Sequence, residues 1–133
     1  MTIDGLINVR SSFAYGETLA RLEAAVRANG LRIVAVVDHA IAASEAGVSL
    51  DATTVLMVGD GRRQAALMKA LRLIALDLPF KMLVWQDGAG TCLSYIDFRW
   101  LATRYGAGPE EVRLITDMAV MIDGIARKTG LPP

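Results

Sequence analysis

A chain of 133 residues has the length of one domain, 1–133, able to bury roughly two-thirds of its unfolded surface, and its 53% hydrophobic, 21% charged composition excludes disorder driven by self-repulsion. Fourteen basic and fourteen acidic side chains cancel, so no long-range field gathers phosphate backbones or anionic lipid, and neither nucleic acid nor a membrane is an expected partner. The lone Cys92 excludes an intramolecular disulfide and suits a reducing cytoplasm, while Met1-Thr2-Ile3-Asp4-Gly5 lacks the basic and apolar regions of a secretory signal and no apolar stretch is long enough to span a bilayer.

Leu6-Ile7-Asn8-Val9 reads as an opening strand, too short for a helix. From Glu17 to Asn29, Leu19, Leu22 and Val26 recur at helical spacing, and Gly30 supplies a left-handed stop. Leu31 to Val37, rich in β-branched residues, predicts a strand covered on both faces. Asp38 then stands where it caps a short helix over Ala40 to Ala46, ended by Gly47. Thr54 to Val58 predicts a third strand. Arg62 to Leu76 carries Leu67, Leu71 and Ile74 on one helical stripe, stopped ahead of Pro79. Phe80 to Trp85 and Thr91 to Ile96 flank Asp87-Gly88-Ala89-Gly90, a hairpin. Asp97 caps a helix through Tyr105. Pro109 opens a last helix, with Glu110 and Glu111 at its positive end and a stripe of Val112, Ile115, Met118, Ile122 and Ile125. This order predicts an α+β fold in which helices cover one face of a mixed sheet.

Asp38-His39-Ala40, Thr53-Thr54, Val58-Gly59, Leu67-Met68, Ala75-Leu76-Asp77-Leu78-Pro79, Val84-Trp85-Gln86-Asp87 and Ser94-Tyr95 together resemble the bacterial and archaeal family called domain of unknown function 302. The resemblance runs from about Ser11 to Tyr105. It implies a two-layer sandwich with a curved sheet, similar to half of the TATA-binding protein, with a family-like core over 6–105 and an additional C-terminal helix over 109–130. No activity comes with it. Where the family has Asn-Pro and then Gly-Thr-Pro after the third strand, this chain has Asp60-Gly61 and Gln64-Ala65-Ala66, so a proline-framed loop has become a flexible acidic one.

His39, the one histidine, follows Asp38 at a strand-to-helix junction, a place for a proton carrier; equally, Asp38 caps the helix while His39 packs on its first turn. Gly59-Asp60-Gly61-Arg62-Arg63 follows a strand and opens a helix, a setting for an anion, although Asp60 opposes one and a plain turn explains the string. Trp85 and Tyr95 are expected on one sheet face, as core or as the mouth of a pocket. One histidine and one cysteine make no metal-ligand motif and no haem-attachment string, so neither metal nor cofactor is expected. Cys92 reads as a small buried apolar residue.

Three functions compete. A non-catalytic domain that binds a small ligand or anion, acting as a homodimer, would place its pocket where Asp38-His39 and the Gly59 loop meet, with Asp60 and Tyr95 as neighbours. An enzyme would use His39 as general acid or base. An interaction module would use the last helix or an open sheet face. The homodimer is expected because a two-layer sandwich leaves one sheet face uncovered.

Overall fold

The computed structural model describes residues 3–132. In chain order the elements are β1 (Leu6–Ser11), α1 (Tyr15–Ala28), β2 (Arg32–Asp38), α2 (His39–Glu45), β3 (Thr53–Gly59), α3 (Gly61–Ala70), a 3-10 turn (Arg72–Asp77), β4 (Phe80–Asp87), β5 (Gly90–Ile96), α4 (Phe98–Arg104) and α5 (Pro109–Gly130). The strands form one sheet in the order β1-β5-β4-β3-β2. The architecture is the expected α+β two-layer sandwich, with α1 and α5 packed together on one face.

The sheet is not mixed: all four neighbouring pairs run antiparallel. The length of α2 explains the difference. Seven helical residues rise only ~10 Å, whereas a parallel crossover must retrace a seven-residue strand of roughly 20 Å. The chain therefore turns at the sheet end and sets Thr54 beside Asp38.

Closure also breaks the helix expected over Arg62 to Leu76. β3 and β4 pair with Val58 beside Phe80, so the chain must return to where it left the sheet. A straight helix of that length would carry it roughly 22 Å away. Instead α3 ends at Leu71 (φ −131°, ψ 80°), and the 3-10 turn folds back, burying Ile74 while leaving Leu73 and Leu76 exposed.

The core lies between sheet and helices. Leu22 and Val26 of α1 and Ile115, Met118, Ile122 and Ile125 of α5 meet Leu56, Val58, Met82, Val84 and Leu93 of the strands, all buried; each contributes ~1.5–3 kcal/mol of apolar transfer. Val112, the first residue of the expected stripe, is half exposed in the first turn of α5. Arg21 of α1 ties the two helices together: Nε donates to the Thr129 carbonyl at 3.1 Å and Nη2 to the Lys128 carbonyl at 3.3 Å, answering the free acceptors at the α5 terminus.

Candidate functional site

The β4–β5 hairpin decides what each sheet face carries. Its turn is two residues, Gly88-Ala89, with Asp87 paired to Gly90, and Gly88 has φ +60°, a conformation open to glycine without steric cost. That register places Trp85 beside Cys92 and Met82 beside Tyr95. Trp85 and Tyr95 consequently lie on opposite faces, not on one. An expectation built on alternation within each strand lacked the turn length that aligns the two.

On the helix side, the Tyr95 hydroxyl donates to Asp123 Oδ1 of α5 at 2.6 Å, and Arg99 Nη2 of α4 reaches Asp123 Oδ2 at 2.7 Å. Burial first, then the hydrogen bond and charge of Asp123, push the Tyr95 phenol well above the ordinary tyrosine range. Tyr105 is raised as well, chiefly by the hydrogen bond it donates to Asp77. Both carboxylates stitch helices or turns to one another, so these are structural contacts.

No described helix covers the other face. Its central row runs Val37, Val55, Leu83, Ser94, Asn8 across all five strands, and beside it Met57 stands between Ala35 and Lys81. Of these, Val37, Val55, Met57, Lys81, Leu83 and Ser94 floor an open groove of about 440 Å³, which Leu6 and Ile96 extend and His39 flanks. The lining is mostly apolar and contains no carboxylate. Toward the β4–β5 turn the face becomes polar. The Trp85 indole N–H donates to Ser94 Oγ at 2.8 Å, the Ser94 hydroxyl donates to Asn8 Oδ1, and Arg10 contacts both Asp87 (3.4 Å) and Cys92 Sγ (3.5 Å). Gly90 permits this last arrangement, since a Cβ there would lie 2.7 Å from Arg10 Nη2.

His39 is the first residue of α2, and Asp38 caps it, with Oδ1 accepting from the Ile41 N–H at 3.0 Å. Both parts of the Asp38-His39 pair are thus placed: the acid holds the helix, and the imidazole lines the groove. The Gly59 loop lies elsewhere. Because β2 and β3 are antiparallel, Gly59 pairs with Arg32, and Asp60 sits roughly 20 Å along the strand from the level of His39. The expected meeting of Asp38-His39 with the Gly59 loop does not occur. Asp60 instead caps α3, accepting from the Arg63 N–H at 3.4 Å and pairing with Arg63 Nη1 at 3.5 Å, while Gly61 opens that helix and Arg62 faces solvent. Tyr95 borders the groove, but its phenol points to Asp123 on the opposite side. Cys92 is buried. Among the described residues, no three His, Cys, Asp or Glu side chains gather as a metal site.

The groove residues that sequence reasoning missed are Val37, Val55, Met57, Lys81 and Leu83, together with Leu6, Ser94 and Ile96. A signal for them existed. β3 is apolar at both alternating sets, Val55 and Met57 as well as Leu56 and Val58, which marks a strand with something to cover on each face.

A family model described as "Domain of unknown function DUF302" matches residues 7–128, a span that takes in most of α5 and passes the Tyr105 limit of the resemblance. Two curated proteins, "Fluoride-specific ion channel FluC 1" of Brucella suis biovar 1 (strain 1330) and of Brucella abortus biovar 1 (strain 9-941), are each 35% identical over 128 residues. The match takes in 94% of this chain but 48% and 46% of theirs, so the chain spans about half the length of these relatives. "Crystal structure of uncharacterized conserved protein DUF302 from Bacillus stearothermophilus" superposes with a TM-score of 0.87 at 18% identity, covering 96% of this chain and 99% of that one. Likeness at that identity speaks for the fold alone.

Proposed function

The chain belongs to the DUF302 family, and from that premise we propose that it is a non-catalytic cytoplasmic domain that binds a small apolar molecule in the groove of its uncovered sheet face. The observation that carries this reading is the groove itself: about 440 Å³, walled by Val37, Val55, Met57, Leu83 and Ile96, within the size and apolar character of ligand sites. Trp85 stands next to Leu83's row and reports on it once Trp100, the second tryptophan, is replaced by Phe. Adding 1-decanol to W100F should shift Trp85 emission, and Leu83→Glu should abolish the shift. An unchanged spectrum across the solubility range of the alcohol overturns the reading.

We also propose a homodimer. β2 is an outer strand, its outward edge has no backbone partner among the described residues, and Val34 and Val36 on it are each 51% exposed, the condition in which a strand recruits another. Pairing there leaves both grooves free. Light scattering should give twice the 14.3 kDa chain mass, and Val36→Lys should halve it; a wild-type chain that scatters as a monomer ends this part of the proposal.

A second reading keeps His39 as a general acid or base, because its ring lines the same groove. His39→Gln separates the two, since binding of a neutral apolar probe does not require an imidazole. The channel named in the Brucella relatives is not carried over: no described helix of this chain is long and apolar enough to cross a membrane.

A further inference from the structure

We propose that the groove's natural ligand is a single-chain carboxylate, a free fatty acid or similar acyl anion, with Lys81 as its anchor. The inference rests on the groove reading and deepens it. Lys81, the second residue of β4, lines the groove and is exposed, and it has no ion pair within 4 Å among the described residues. Asp87, the acid that the strands place on the same face, is engaged by Arg10, and it lies six residues along β4, toward the other end of the sheet. One ammonium group therefore borders an apolar trough with no anion to answer it. A carboxylate head at Lys81 supplies the partner, and a hydrocarbon tail supplies what Val55, Leu83 and Val37 lack.

The dimensions suit such a molecule. From Lys81 to the level of His39 is four residues along the strands, ~13 Å, and two strands across, ~10 Å, a diagonal of roughly 16 Å. That path crosses Leu83, Val55 and Val37, which are paired directly across neighbouring strands in an uncharged row. A second copy stacked face to face fits less well, because it would bring two Lys81 ammonium groups onto apolar floors with no carboxylate in either groove, and a buried, unpaired charge is strongly unfavourable.

The test compares decanoate, decanol and decylamine on the W100F protein, by Trp85 emission and calorimetry, at monomeric concentrations. Decanoate should bind about tenfold more tightly than decanol. Lys81→Gln should remove the difference between decanoate and decanol, and Lys81→Glu should transfer the preference to decylamine. Both variants alter an exposed side chain, and thermal melting checks that they stay folded. Equal binding of decanoate and decanol to the Lys81 protein overturns the carboxylate assignment and leaves the groove reading intact. A preference for decanoate that survives in Lys81→Gln overturns the anchor. Failure of all three probes removes the groove reading itself.

Discussion

The two faces of the sheet are made by alternate residues of the same five strands, yet they solve opposite problems. On the helix side Leu56, Met82, Val84 and Leu93 are sealed by α1 and α5, and the Tyr95 phenol is satisfied by Asp123. On the open side Val55, Met57 and Leu83 are equally apolar but face a trough, and the polar groups Asn8, Ser94 and Trp85 are satisfied among themselves. The difference shows that apolar character on both faces of a strand need not imply a second layer of helices. It can also mark a surface reserved for something that arrives later.

The largest effect should come from removing the cover. Ending the chain before Pro109 exposes the sheet positions packed against Ile115, Met118, Ile122 and Ile125, and the product should fail to give a cooperative melting transition; a soluble chain with an unchanged melting temperature would erase the distinction between the faces. Next, single truncations should divide by face. Leu93→Ala, at a fully buried position, should cost about 3 kcal/mol in urea unfolding, while Leu83→Ala, partly exposed in the groove, should cost ~1 kcal/mol or less.

Tyr95→Phe probes the polar fastening on the covered side and should cost ~1 kcal/mol at neutral pH. Its pH dependence has a definite sign. The folded state holds the Tyr95 proton more tightly than the unfolded chain does, so the stabilisation is complete below the unfolded value near 10 and declines as pH rises beyond it. Above about pH 10 the wild type should lose stability faster than Tyr95→Phe; parallel curves would mean the phenol is not held as described. Smallest of all, Asp38→Ala removes the cap of α2 and should cost ~1 kcal/mol or less. No residue of α2 is buried, so hydrogen exchange should speed up in that helix and leave the strand cores unchanged.

What could be read in the sequence was local. The caps by Asp38 and Asp97, proline at the start of α5, the stop at Gly30 and the hairpin between β4 and β5 all follow from chemistry within a few residues. What could not be read depends on closure at a distance. Strand direction hinged on whether α2 was long enough to retrace β2, and the break at Leu71 on where Phe80 must rejoin Val58. The site suffered most from this. His39 was recognised as a candidate, but the direction of β3 carried Asp60 to the far end, and Lys81, a solitary charge in an apolar strand, gave no sign of a role until the open face was assembled.

The two-residue turn at Gly88-Ala89 carries a consequence of its own. Its length gives every β4–β5 pair residue numbers of opposite parity, so the odd positions of β4 share their face with the even positions of β5. Adding or deleting a single residue there would exchange the two faces of β5, sending Leu93 and Tyr95 into the groove and Cys92, Ser94 and Ile96 against the helices. Length changes in this loop are therefore tolerable only in steps of two, and an open sheet face five strands wide is held in frame by one glycine and one alanine.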